Sequence, residues 1–108
     1  MILGIGTDIV SVERIRQAMA RAGFVDRVLH ASEHRPLMDA EFVAGRWAAK
    51  EAIKKCCSWV DGWHQVWIGP DGPPAAKVDG LPEDERILVS ISHEREFAVA
   101  TAIRCKIG

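Results

Sequence analysis

The sequence has little that would tie it to a secreted, membrane-bound or polyanion-binding existence. Only three of its 108 residues are cysteine. Cys56 and Cys57 are adjacent and Cys105 stands far away, which leaves neither a disulfide framework nor zinc-ligand spacing. Small buried thiols in a reducing cytosol are the expectation. No apolar run approaches membrane-spanning length, and the N-terminus has neither a basic region nor a cleavage-type pattern. A soluble, cytoplasmic protein is expected. A formal net charge of -1 offers no broad footprint for nucleic acid. Repeats, low-complexity tracts and long linkers are missing too, so residues 1–108 are expected to form a single domain.

What is present is an ordinary globular composition, 48% apolar and 27% charged, with its charge patterned locally. Arg14, Arg16, Arg21 and Arg27 lie early, while Asp79 to Glu85 forms an acidic stretch. A basic patch of this size suits an acidic protein partner better than a polyanion.

The pattern of elements predicts an α+β fold. Ile2 to Val10 is dominated by β-branched and apolar residues without helical period and reads as a strand. Ser11 is positioned to cap a helix over Val12 to Ala22, which Gly23 ends. Val12, Ile15, Met19 and Ala22 share one face of it, with Arg14 and Arg21 together on the other side. Phe24 to Leu29 reads as a short turn of helix, and Ala31-Ser32-Glu33 starts another that Pro36 interrupts. Asp39 then caps the longest helix, about Ala40 to Cys57. Phe42, Ala49, Ile53 and Cys56 make its buried stripe; Trp47, Glu51, Lys54 and Lys55 cluster across from it. Gly62, the run Gly69-Pro70-Asp71-Gly72-Pro73-Pro74 and Gly80 punctuate short strands, including Gln65 to Ile68 and Ala75 to Val78. The C-terminal part reads as a hairpin, Arg86 to Ser92 and Phe97 to Arg104, turning at His93-Glu94-Arg95-Glu96. A strand, then helices, then antiparallel strands is not the order of a doubly wound parallel sheet.

Two acids stand out against this frame. Asp8 ends an apolar run, and Glu51 sits inside Arg46-Trp47-Ala48-Ala49-Lys50-Glu51-Ala52, a segment that reads as buried helix. Lone charges in such surroundings are costly unless a cation or hydrogen bonds compensate them. Two carboxylates with lysines alongside can cradle a divalent metal and a phosphate-bearing substrate. The plain structural reading is that Asp8 caps the next helix and Glu51 pairs with Lys55 at i,i+4.

Three segments, Gly4-Ile5-Gly6-Thr7-Asp8-Ile9-Val10, Arg46-Trp47-Ala48-Ala49-Lys50-Glu51-Ala52 and Ser90-Ile91-Ser92-His93-Glu94, occur in the order and at the separations of one family. Together they closely resemble the holo-acyl-carrier-protein synthase family of 4′-phosphopantetheinyl transferases, over nearly the whole chain. The resemblance implies the phosphopantetheinyl transferase fold and transfer of 4′-phosphopantetheine from coenzyme A to a serine of an acyl carrier protein, releasing adenosine 3′,5′-bisphosphate. The competing expectations are a module of the same shape that binds carrier proteins without turnover, and one domain of a larger synthase assembly.

Residue by residue, the resemblance makes Asp8 and Glu51 ligands of Mg2+. It makes Arg46, Lys50, Lys55 and His93 binders of coenzyme A, and gives Glu51 and Lys55 catalytic roles. The resemblance casts Glu51 as general base, either directly or through a metal-held water; the water route is preferred, because a carboxylate committed to magnesium is a weak base. Arg14 and Arg21 match positions that grip the acidic helix of the carrier. A homotrimer with sites shared between subunits is also implied, His93 reaching a neighbour's site. The sequence departs from the family at Ala18, where a larger apolar residue is common, and at Trp47, where phenylalanine is usual. Cys56-Cys57-Ser58-Trp59 replaces the usual helix ending, the stretch after His30-Ala31-Ser32-Glu33 is trimmed, and Asp79 to Glu85 replaces a helix.

Overall fold

A computed structural model describes residues 1–69 and 75–107. The chain forms β1 (Ile2–Ser11), α1 (Val12–Met19), α2 (Phe24–Val28), a 3-10 turn (Ala31–Glu33) and α3 (Ala40–Cys56). A second 3-10 turn (Trp63–Gln65) leads into β2 (Val66–Ile68), β3 (Ala75–Val78), β4 (Glu85–His93) and β5 (Phe97–Lys106). One sheet runs in the order β1-β5-β4-β3-β2 with every neighbouring pair antiparallel, which is the α+β architecture expected. Of the glycine- and proline-rich run between β2 and β3, residues 70–74 lie outside the described part.

The boundaries differ from the sequence reading in ways that local hydrogen bonds explain. Ser11 caps α1 as expected, its hydroxyl accepting from Arg14 N at 3.3 Å. The helix nevertheless stops at Met19 rather than Ala22, because Ala20 N and Arg21 N turn to the carbonyls three residues back, Gln17 O and Ala18 O. Gly23 adopts φ 84°, which bends the chain into α2. Asp39 caps α3 through Phe42 N at 2.8 Å, and the helix ends one residue early, at Cys56. Gln65, expected in a strand, belongs to the turn before β2, where its side-chain oxygen accepts from Asp61 N and Gly62 N. The hairpin forms with β4 and β5 each slightly longer than expected, and Glu94 N closes it by donating to Phe97 O at 2.9 Å.

Helix α3 lies across β1, β5 and β4, and the core fills the space between. The expected stripe of Phe42, Ala49, Ile53 and Cys56 is buried, together with Val43, Ala44, Ala48 and Ala52. Cys57 is buried and Cys105 half-buried, all three thiols being free. The two glycines of β1 let the helix approach. A Cβ on Gly6 would stand 2.0 Å from the Ala52 carbonyl oxygen, and one on Gly4 would press on Cys56 Cβ at 3.0 Å. Side chains in a strand alternate faces, so Asp8, two residues beyond Gly6, leaves β1 on the side that carries α3.

The opposite face of the sheet is uncovered. Ile5 and Ile9 of β1 are 65% and 63% exposed, and Phe97 and Val99 of β5 are 44% and 38% exposed. Ile9 pairs with Val99 in the ladder, so these side chains make one apolar surface rather than scattered points.

Candidate active site

The close passage of α3 over Gly6 places the two sequence-selected acids beside each other's elements. Asp8 on β1 and Glu51 on α3 both line one open cleft of about 520 Å³. Arg14, Ile15, Gln17, Ala18 and Arg21 supply its wall from α1 and the turn that follows. Phe24 and Trp47 complete it on the aromatic side. The early end of α1 therefore does not separate Arg14 from Arg21: both still face the cleft. The Arg21 guanidinium lies 5.7 Å from the Phe24 ring centroid, and Phe24 stacks on Trp47 at 5.8 Å. Trp47 in turn packs against Trp63 at 4.4 Å. Ala18 is half-buried at this wall, where its short side chain leaves the cleft open.

Neither acid takes its plain structural partner. The cap of α1 is Ser11, not Asp8. Glu51 Oε1 faces Lys54 Nζ at 3.7 Å, rather than Lys55. Lys55 instead crosses to β1, where its ammonium donates to Thr7 O at 2.6 Å and lies 3.5 Å from Asp8 Oδ1. Its aliphatic stem runs over Gly6, with Lys55 Cβ 3.0 Å from where a Gly6 Cβ would stand. Each carboxylate thus holds one ammonium, and each pair remains partly open to solvent.

The donor set fits magnesium. Asp8 and Glu51 offer hard oxygen ligands from two elements, and among the described residues no cluster of three or more His, Cys, Asp or Glu could hold a metal. Such a site cannot complete the four protein ligands of structural zinc. Magnesium asks for less, since it keeps several waters and takes one or two carboxylates plus substrate phosphates.

Arg46 and Lys50, expected to hold phosphates of coenzyme A, are both buried inside the protein. Lys50 Nζ donates to Val28 O at 2.8 Å, to Trp63 O at 3.2 Å and to Glu33 Oε1. An ammonium has three donors, and here all three are taken, so Lys50 has none for a ligand. Arg46 donates through Nη2 to Gly69 O at 3.0 Å, stacks over Phe42 and holds its Nε 3.6 Å from Glu33 Oε2. Burial pushes the pKa of both cations down, and Glu33 opposes that push.

Glu33 is the residue that the sequence reading passed over. It is fully buried, caps its own turn by accepting from His30 N at 2.9 Å, and accepts from Ile68 N of β2 at 3.3 Å. It therefore ties its own turn, α3 and β2 together. The available signal was its place three residues after His30, which is capping-box spacing.

His93 stands apart. It is exposed at the end of β4, beside Gly45 of α3, and is absent from the cleft that Asp8 and Glu51 share.

A family model described as the 4′-phosphopantetheinyl transferase superfamily matches residues 4–102. A holo-[acyl-carrier-protein] synthase of Geobacillus sp. (strain WCH70) is 43% identical over 116 residues, covering 95% of this chain and 96% of that protein. One from Vibrio cholerae serotype O1 is 38% identical over 122 residues, covering 95% and 97%. Among solved structures, a holo-(acyl-carrier-protein) synthase from Bacillus anthracis, in complex with CoA (3′,5′-ADP), aligns with TM-score 0.82 and 31% identity. That alignment covers 100% of this chain and 99% of the other.

Proposed function

The chain belongs to the 4′-phosphopantetheinyl transferase superfamily, and from that premise we propose that it acts as a holo-acyl-carrier-protein synthase. It transfers 4′-phosphopantetheine from coenzyme A to a serine of an apo-acyl carrier protein. The serine oxygen forms a bond to the phosphorus of the phosphopantetheine half. The bond from that phosphorus to the bridging oxygen breaks, adenosine 3′,5′-bisphosphate leaves, and the serine proton passes to a base. The observation that carries this reading is the single cleft holding Asp8, Glu51, Arg14 and Arg21. Incubating the protein with magnesium, coenzyme A and apo-carrier tests it by mass spectrometry. A carrier that gains no phosphopantetheine would overturn it.

Asp8 and Glu51 would hold Mg2+ at the mouth of the cleft. When bound, the ion supplies charge neutralisation for the pyrophosphate and acidifies its own water. Lys55 contributes a fixed ammonium. Its bond to Thr7 O keeps it beside Asp8 while leaving donors for a phosphate oxygen. Glu51 serves as general base by way of a water, for the reason that its oxygens are engaged elsewhere.

Arg14 and Arg21 form the docking edge for an acidic carrier. Reversing either charge, as in Arg14→Glu or Arg21→Glu, is expected to raise KM for the carrier by about tenfold at low salt and less at high salt. KM for coenzyme A should hardly move. Equal effects on both substrates would show that this wall faces something other than the carrier.

The working unit in this reading is a cytoplasmic homotrimer. The uncovered apolar face of β1 and β5 is the surface that a second copy would bury. A cyclic head-to-tail contact yields equivalent sites, and it lets His93 of one subunit serve the cleft of the next. Mixing inactive Glu51→Gln subunits with inactive His93→Ala subunits should therefore restore part of the activity. No recovery in verified hybrid trimers would place both residues in one subunit's site.

A further inference from the structure

The two ammonium groups that face the carboxylates of the cleft are held in different ways. Lys55 is anchored: it bonds the Thr7 carbonyl as well as facing Asp8. Lys54 is not anchored in this way. Its ammonium lies 3.7 Å from Glu51 Oε1, beyond hydrogen-bond length, and its other neighbour is the Trp63 ring, 5.6 Å from the centroid. Trp63 continues the aromatic row that starts at Phe24 and Trp47 in the cleft wall. Among the described residues Lys54 is therefore a cation without a hydrogen bond of its own, at the Trp63 end of that row, with a carboxylate of the cleft as its counter-ion.

Resting on the magnesium site proposed above, we propose that Lys54 is a positioning residue. It competes with the divalent cation for Glu51 and, once displaced, offers its ammonium to the substrate phosphates. Two carboxylates facing one cleft repel each other, and a resident cation on each offsets that repulsion. Lys54 shares the sign of a divalent ion, so it would leave the Glu51 carboxylate were such an ion held there. The displaced ammonium keeps the indole face of Trp63 beside it, since a cation is attracted to the ring. It then has unfilled donors at the edge of the cleft that receives a pyrophosphate. Lys55, fixed to the Thr7 carbonyl, cannot make this exchange.

The test reads metal affinity directly, with Mn2+ as the probe. Free Mn2+ is followed by its paramagnetic resonance signal as it is titrated into wild type, Lys54→Met and Lys54→Arg without coenzyme A. Methionine keeps the unbranched stem against Trp63 and removes the charge. Lys54→Met should bind Mn2+ about two- to fivefold more tightly, the weight of a partly exposed ion pair, with Lys54→Arg close to wild type. In turnover assays Lys54→Met should raise KM for coenzyme A severalfold, and Lys54→Arg should restore it. Unfolding midpoints like that of wild type would confirm that the fold is intact. Affinity for Mn2+ no tighter in Lys54→Met overturns the competition. An unchanged KM for coenzyme A overturns the phosphate-facing role. If Glu51→Gln binds Mn2+ as well as wild type does, the metal assignment itself fails and this inference goes with it. That outcome is distinct from the other two.

Discussion

Glu51→Gln and Asp8→Asn are each expected to lower transfer by about two to three orders of magnitude, because a metal's charge stabilisation is worth several kcal/mol and each ~1.4 kcal/mol is a factor of ten. Both substitutions keep the side-chain volume and remove only the charge. Neither acid is deep in the core: Glu51 is half-buried with Lys54 as its partner, and Asp8 has Lys55. Removing one carboxylate leaves its lysine with a route to solvent, so the cost to stability is small. The loss should therefore appear in turnover with the fold unchanged, as read by circular dichroism and the unfolding midpoint. Raising the magnesium concentration should recover part of the activity of Asp8→Asn, in which one charged ligand remains. Near-normal turnover of both variants, in chelator-treated buffer with magnesium restored, would sink the metal assignment.

The second large effect concerns stability. Glu33→Ala is expected to cost about 3–5 kcal/mol, the usual consequence of leaving a buried charge without its partner. Against a total of about 5–15 kcal/mol for a domain, that is a large share of the stability. The reason is the environment rather than the pair itself. Lys50 and Arg46 are both buried, and Glu33 is the carboxylate facing both of them. Its removal also leaves His30 N and Ile68 N without their acceptor. A double-mutant cycle separates these contributions. In a Lys50→Met background one uncompensated cation is gone, so Glu33→Ala should cost less there, by about 1–3 kcal/mol of coupling. Denaturant midpoints of the four proteins measure it, and strictly additive effects would show that Glu33 and Lys50 do not interact. The same result bears on function. A lysine whose three donors close a structural junction would act on coenzyme A only indirectly, by holding the helix that carries Trp47 and Glu51.

The likeness between the proposed active site and the sequence reading is uneven for physical reasons. Asp8 was legible as the acid that ends an apolar strand, although only the crossing of α3 over Gly6 shows what its face meets. The side of α3 that carries Trp47, Glu51, Lys54 and Lys55 followed from helical period alone. Its partners did not. Glu51 has Lys54 and Lys55 within one helical turn, and which of them it takes depends on β1. The Thr7 carbonyl captures Lys55 at 2.6 Å, leaving Lys54 for Glu51. The surroundings of Lys50 were not legible either: helical period places it on α3, but only the fold shows that α2 and the two 3-10 turns close over it.

The sequence by itself determined the order of elements, the antiparallel hairpin, the caps at Ser11 and Asp39 and the pair of acids, since each depends on neighbours within a few residues. Only the tertiary structure decided which charges face water. Glu33 meets Lys50 across 17 residues, and Lys55 meets Thr7 across 48. Contacts at such separations leave no periodic trace in a sequence, because they depend on where whole elements cross. The crossing of α3 over Gly6 placed Lys55 at Asp8, and the fold of α2 and the 3-10 turns over α3 enclosed Lys50.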